Sequence, residues 1–198
     1  MKLGVWILMG LFISCQKVNI PQKNVVKKLT RYGKRNPENL LLISTNFGNF
    51  KVRLFEETPL HRADFIRLVK LKVFDNRKIY RVVKGFCIQG GFGSGPDSLH
   101  YELPSEISPN IKHKVGSLSM ASWFSTITPP DNFFIVSKLS EKYCKLIDKP
   151  KGFLNNEYTI FGEVIKGQEV VDKIAEEEVK DKDCPVREIL FNISIIKK

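Results

Sequence analysis

The chemistry in this sequence is concentrated in Ile79-Tyr80-Arg81-Val82-Val83-Lys84-Gly85-Phe86-Cys87-Ile88-Gln89-Gly90-Gly91. Arg81 is the residue there best able to act on another molecule. A guanidinium stays cationic at any working pH and presents several N–H donors from one rigid plane. Other chemistries lack their parts. His61, His100 and His113 are widely separated and have no metal-ligand spacing, and there is no CxxC pair, so no metal is expected. No Ser-His-Asp or Cys-His arrangement marks a nucleophile. Gly90-Gly91-Phe92-Gly93-Ser94-Gly95-Pro96 looks superficially like a phosphate-binding loop, but no Lys-Ser/Thr follows and no helical pattern begins there. What remains is non-covalent work by a permanent cation close to apolar residues. Taken alone, an arginine on a strand is usually solvated or salt-bridged, and Phe86 and Cys87 would ordinarily be core.

The same stretch resembles the signature of the cyclophilin family of peptidyl-prolyl cis–trans isomerases. The likeness continues in order through Leu118-Ser119-Met120-Ala121, Asn132-Phe133-Phe134-Ile135, Phe153-Leu154-Asn155 and Tyr158-Thr159-Ile160-Phe161-Gly162-Glu163-Val164, covering residues 40–198. The resemblance implies a closed eight-stranded antiparallel β-barrel with two helices. It also implies an isomerase that needs no cofactor and takes proline-containing polypeptides as partners. An X–Pro bond isomerises unaided in tens to hundreds of seconds. Its barrier is amide resonance, so an enzyme helps by gripping the proline, donating to the pyramidalising nitrogen and stabilising the displaced carbonyl oxygen.

By this resemblance Arg81 is the donor and Gln89 orients it. Phe86, Cys87, Phe134 and Leu154 form the proline pocket, with Cys87 in place of a longer methionine and so a roomier wall. Ala121 and Ser122 belong to a segment that pairs with the substrate backbone. Asn132 stands for a glutamine that reaches that backbone, one methylene shorter. Tyr80 and Tyr158 stand where many members have His. Phe153 stands for a rim Trp whose indole N–H helps hold cyclosporin, so weaker drug binding is implied. These substitutions motivate an alternative, a cyclophilin-like module that holds peptides with little turnover.

The elements that would position these residues are mostly short strands. Leu40–Thr45 and Phe50–Phe55 flank the turn chemistry of Asn46-Phe47-Gly48-Asn49 and read as a hairpin. Phe50, Val52 and Leu54 alternate with Lys51 and Arg53. Thr58 as N-cap and Pro59 at the first helical position open a helix whose apolar face includes Ala63, Ile66, Val69 and Val73, with Arg62, Arg67, Lys70 and Lys72 away from it. Strand-like runs follow at Ile79–Val83, Phe86–Gln89, Gly116–Ala121, Phe133–Val136 and Thr159–Val164. Gly167–Glu178 is a second helix and Glu188–Ile196 a closing strand. Many short strands with strands at both ends predict a mainly β fold, a closed barrel capped by two α-helices. Trp123–Asp131 and the Lys-rich Glu141–Gly152 read as loops.

The chain has 198 residues, of which 42% are hydrophobic, so it can build one domain with a real core and is not a disordered chain. Its net charge of +11 invites a nucleic-acid reading, but the excess is local. Residues 1–38 carry eight basic side chains against one acidic, a net +7, and the remaining 160 carry 24 against 20, a net +4. No nucleic-acid partner is therefore expected.

Residues 1–14 read as an export signal: Lys2, then the apolar Leu3–Ile13, too short to span a bilayer. Ser14-Cys15 resembles a bacterial lipobox, which implies lipidation at Cys15. A plain signal peptide with an incidental cysteine is the alternative. Residues 15–38 then read as a basic tether, as a solvated linker or lying near anionic headgroups, with one or two helical turns within Asn24–Tyr32. The isomerase domain would occupy 39–198. The expected protein is a lipid-anchored monomer of the bacterial cell envelope, on the periplasmic face of either membrane or at the cell surface. Four cysteines are too few for a disulfide scaffold, though Cys144 and Cys184 could pair.

Overall fold

The structure, a computed structural model, describes residues 18–91, 99–121, 130–147 and 157–197. The expectations for the signal segment, Cys15, Ser122, Phe153 and Leu154 lie outside the described residues. Ten strands are seen among the described residues: β1 (Leu40–Thr45), β2 (Gly48–Leu54), β3 (Arg77–Val83), β4 (Cys87–Gly91), β5 (Ser117–Met120), β6 (Asn132–Val136), β7 (Ile160–Lys166), β8 (Val179–Lys180), β9 (Cys184–Pro185) and β10 (Leu190–Ile195). Eight of them close an antiparallel barrel in the order β1-β10-β3-β4-β6-β5-β7-β2, with β2 returning to β1. The terminal strands seal it, as expected, with Leu41 opposite Ile195 and Thr45 opposite Phe191. β8 and β9 form a separate two-stranded ribbon.

Residue alternation decides which side chains fill the barrel. Along β2, Phe50, Val52 and Leu54 are buried and Lys51 and Arg53 are exposed, the period-two pattern of a half-buried strand. The β1–β2 turn is held by the Thr45 hydroxyl, which donates to the Gly48 carbonyl at 2.8 Å and accepts the Phe47 N–H at 3.0 Å. β6 is different: all five residues are buried. Phe133 and Ile135 enter the barrel core, while Phe134 belongs with Cys87, Ala121, Val136 and Ile147 in a second apolar cluster. Asn132-Phe133-Phe134-Ile135-Val136 is continuously buried because both faces of this strand are covered.

α2 (Pro59–Lys70) and α4 (Gln168–Ala175) are the two expected helices, and both pack on the barrel core through residues such as Phe65, Ile66, Val171 and Ile174. The α2 N-terminus differs from expectation. Thr58 makes no side-chain cap. Instead the Glu106 carboxylate accepts the Leu60 and His61 N–H groups at 3.0 and 2.9 Å. A full negative charge suits the positive end of a helix better than a hydroxyl does. Arg67, expected on the outer face, is buried: its Nε donates to Asp64 at 3.1 Å, its Nη1 to the Val18 carbonyl at 2.8 Å, and its Nη2 to the Tyr101 hydroxyl.

Two more α-helices are present among the described residues. α3 (Glu141–Ile147) occupies part of the segment expected as a loop, supported by the Glu141–Lys145 pair at 2.7 Å. The greater correction concerns the tether. Residues 25–35 form α1 (Val25–Arg35), three turns rather than one or two, and the helix is seated on the domain. Val25, Leu29 and Gly33 are buried, and Val25 and Leu29 share an apolar cluster with Ile20, Ala63, Tyr101 and Leu103. A side chain at Gly33 would stand 3.0 Å from the Ala63 Cβ, so glycine lets the two helices approach. Residues 18–38 are thus folded onto the barrel rather than a solvated linker. Cys144 and Cys184 are free thiols, so the pairing left open by sequence is not made.

Candidate active site

The barrel's β3-β4-β6-β5 wall brings four side chains into one cross-strand row. Arg81 on β3 is opposite Gln89 on β4, Gln89 is opposite Phe134 on β6, and Phe134 is opposite Ser119 on β5. The β3–β4 register shifts between Ile79 and Arg81. A bulge of this kind bends a strand and re-aims the side chain that follows it. Arg81 Nη1 donates to Gln89 Oε1 at 3.4 Å, a long bond.

Apolar and aromatic groups surround this row. Phe86 lies 6.3 Å from Phe134, ring centre to ring centre, and Tyr158 meets Phe134 edge-on at 5.7 Å. Cys87 is fully buried beside them. Burial pushes its thiol up to about 12, so it stays protonated and packs as a small apolar group. Burial also raises the Tyr158 phenol, and raises that of Tyr80 further, opposed by the charge of Arg81. The Tyr80 hydroxyl is buried with no hydrogen-bond partner among the described residues. Of the residues named from the family resemblance, Arg81, Gln89, Tyr80, Phe86, Cys87, Phe134 and Tyr158 therefore meet at one site.

Two others sit at its edge with their polar groups engaged. Ala121 donates its backbone N–H to the Asn132 carbonyl at 3.1 Å, so that N–H is not open to a peptide. Asn132 is buried and donates Nδ2 to Asp131 Oδ1 at 3.3 Å. Asp131 in turn accepts the Leu99 N–H at 3.0 Å. Burial pushes the Asp131 carboxyl up to about 6, against the lowering effect of that bond.

A raised acid binds more protons folded than unfolded. Its contribution to stability is complete below about pH 4 and is lost as pH rises to about 6, by up to roughly 3 kcal/mol. Asp131→Asn removes this loss. Thermal melts at pH 4 and pH 7 should show a smaller fall in Tm for the variant than for the parent, and equal falls would contradict the assignment.

Three residues at the site escape sequence reasoning. His113, set aside as a metal ligand, stacks on Phe134 at 5.7 Å with rings nearly parallel, and its Nε2 lies 3.0 Å from the Ser119 hydroxyl. Tyr143 on α3 stacks on Phe86 at 4.6 Å. Asp183 is the largest omission. Its Oδ2 accepts from Arg81 Nε at 3.1 Å and from Nη2 at 2.7 Å. It lies in a short 3-10 turn between β8 and β9, where Lys182 and Asp183 both take left-handed φ values of 62° and 59°. Such values are uncommon for non-glycine residues, though less so for Asp, and they mark a turn that its surroundings hold in place. A left-handed residue has no reliable local signature, and Asp183 is 102 residues from Arg81 in sequence.

Comparison with known proteins agrees with this architecture. Residues 40–195 match the family model described as cyclophilin type peptidyl-prolyl cis-trans isomerase/CLD. The chain is 33% identical over 156 residues to peptidyl-prolyl cis-trans isomerase-like 3 of Dictyostelium discoideum, covering 75% of this chain and 89% of that one. It is 30% identical over 159 residues to the peptidyl-prolyl cis-trans isomerase of Helicobacter pylori, covering 77% and 86%. Among solved structures, a cyclophilin-type isomerase of Cryptosporidium parvum superposes with a TM-score of 0.69 at 28% identity, covering 81% of this chain and 99% of that chain. A second structure of that protein, in the presence of the dipeptide Ala-Pro, superposes with a TM-score of 0.68. The family match spans every strand of the barrel and the whole Arg81 wall, and the chain therefore belongs to the cyclophilin family and is a peptidyl-prolyl cis–trans isomerase.

Proposed function

We propose that this isomerase acts on X–Pro bonds of exported polypeptides at a bacterial envelope membrane, anchored through a lipid on Cys15, with Arg81 as its principal donor. The observation that carries the chemical part is the row Arg81–Gln89–Phe134, which sets a guanidinium beside an apolar cluster. As the C–N bond twists, its nitrogen pyramidalises and gains a lone pair, which a guanidinium N–H can meet without proton transfer. The proline ring needs an apolar seat, and Phe86, Phe134 and Tyr158 supply aromatic surface for one. Barriers of about 18–20 kcal/mol separate the isomers, so a few kcal/mol of selective stabilisation is a large acceleration.

The Asp183 carboxylate bears on how the donor is presented. It holds the Nε and Nη2 edge of Arg81, and Gln89 takes one Nη1 hydrogen. One hydrogen on Nη1 and one on Nη2 remain for a substrate. Both partners are more than a third exposed, at 35% and 41%, so the pair is worth at most about 1 kcal/mol and a bound peptide can rearrange it.

The reading is tested in two parts. Cis-to-trans turnover of proline peptides should rise in proportion to the amount of chain added, and binding of peptides without turnover would favour the holding module instead. Protein recovered from the membrane fraction of its bacterial host should carry the acyl mass on Cys15. An unacylated, freely soluble product would remove the anchoring part and leave the chemistry standing.

A further inference from the structure

We propose that α1 is a docking face for an anionic phospholipid bilayer, with a cavity on its flank that takes a phosphate headgroup. The inference deepens the anchoring reading above and rests on it for proximity, but its electrostatic part stands on the folded domain alone.

The seat of α1 fixes which way its charges face. Val25, Leu29 and Gly33 recur every four residues, bury one stripe of the helix and press it onto α2. The chain leaving the helix is pinned as well: Arg62 Nη1 donates to the Asn36 carbonyl at 3.1 Å, and Lys70 Nζ donates to Asn36 Oδ1 at 2.7 Å. The helix therefore cannot roll. Lys23, Lys27, Lys28, Arg31, Lys34 and Arg35 are all exposed.

No acidic residue occurs between residues 16 and 37. None of these six cations has a carboxylate partner among the described residues, whereas Arg53, Lys78, Lys114 and Lys145 each hold one. Like charges three and four apart on a helix repel. A fold that seats such a helix rigidly keeps a repulsive row that an anionic surface would relieve. Val26, 52% exposed, adds an exposed apolar side chain to the same helix.

On the flank of α1 is a cavity of about 300 Å³, with Lys28, Arg31 and Arg35 at its edge and Ile20, Leu29 and Tyr32 among its walls. Cations beside an apolar wall suit a phosphate with the start of a glycerol ester behind it. A polynucleotide would share the attraction to cations. The bilayer is favoured because only residues 16 and 17 separate Cys15 from the first described residue, Val18. With a lipid on Cys15, three residues of extended chain keep Val18 within about 11 Å of the surface, close to the Debye length of roughly 8–10 Å. None of the residues in the α1 seat or the cavity belongs to the Arg81 site, so docking leaves that site's residues unused.

Residues 18–197 hold all eight barrel strands and the whole seat of α1, so the test uses the chain from Gln16 onward, without signal or lipid. It is sedimented with vesicles of phosphatidylcholine, or of phosphatidylcholine mixed with phosphatidylglycerol. Partition onto the anionic vesicles should exceed partition onto neutral ones about tenfold or more, and should collapse at about 0.5 M salt. The triple variant Lys27→Gln, Arg31→Gln, Lys34→Gln should lose most of that excess while keeping full peptide turnover, which shows that it is folded. Lys28→Gln with Arg35→Gln reports on the cavity and should also weaken anionic binding. Equal partition onto both vesicles, or parent-like binding by the triple variant, overturns the proposal. Tighter and equally salt-sensitive binding to a single-stranded DNA probe overturns it in favour of nucleic acid. Acylation of Cys15 is read separately by mass, so failure of the anchor and failure of the docking face are distinguishable.

Discussion

Arg81→Ala is expected to lower kcat/KM for a proline peptide by about 10²–10³-fold, the range seen when one preorganised donor to a developing charge is removed. The loss should fall chiefly on kcat, because the lone pair on nitrogen exists only in the twisted state and the apolar cluster of Phe86, Phe134 and Tyr158 would still hold the ground-state proline. Stability barely moves. Arg81 is 35% exposed, and its pair with Asp183 contributes at most about 1 kcal/mol. Arg81→Lys does not restore the rate, since an ammonium presents a point charge and lacks the fork that serves Asp183, Gln89 and a substrate together. Steady-state turnover of the parent and both variants, beside their thermal melts, decides the matter. Turnover of Arg81→Ala within about threefold of the parent, at equal Tm, would remove Arg81 from the mechanism.

Gly91→Ala has the largest expected effect on stability. Gly91 ends β4 at φ 125°, and a Cβ there would lie 1.9 Å from the Asp131 carbonyl oxygen. The obstacle is backbone, which cannot swing aside as a side chain can. The strained dihedral is a second cost on the same residue. A loss of more than about 4 kcal/mol is expected, enough to leave much of a marginally stable domain unfolded. Gly90→Ala provides the contrast. A Cβ at Gly90 meets the ends of Phe133, Ile79 and Phe191 at 2.9–3.1 Å, which are side-chain atoms in the core. Overpacking of that kind costs about 1–3 kcal/mol. Urea titrations should rank the parent above Gly90→Ala and Gly90→Ala above Gly91→Ala. A Gly91→Ala chain as stable as the parent would show that β4 and the Asp131 backbone lie farther apart than described.

These two residues also show where the sequence is legible. The barrel could be read because its strands alternate, as in Phe50-Lys51-Val52-Arg53-Leu54, or run continuously apolar where both faces are covered, as in Phe133-Phe134-Ile135-Val136. The wall that carries Arg81 could be read only through a family resemblance, since Arg81, Gln89 and Phe134 become neighbours by pairing across three strands. Asp183 is not legible even so, because its contact depends on a left-handed turn far along the chain. α1 is hidden for a different reason. One of its three buried positions is Gly33, whose contribution is the absence of a side chain, and no hydropathy pattern records that. Tyr143 is not legible because the helix that presents it is supported by tertiary stacking on Phe86.

The ring closure of the barrel has a consequence for how the molecule comes into being. β1 is among the first parts of the domain to be synthesised, yet one of its two neighbours is β10, with Leu41 paired to Ile195. Loops of that length close slowly, and folds rich in distant pairings are slow folders. Until the last strand is made, β1 and β3 each keep an unpaired edge of the kind that invites association with other chains. The barrel therefore cannot close before β10 has been made, and a nascent copy depends for that interval on whatever keeps extended chains apart.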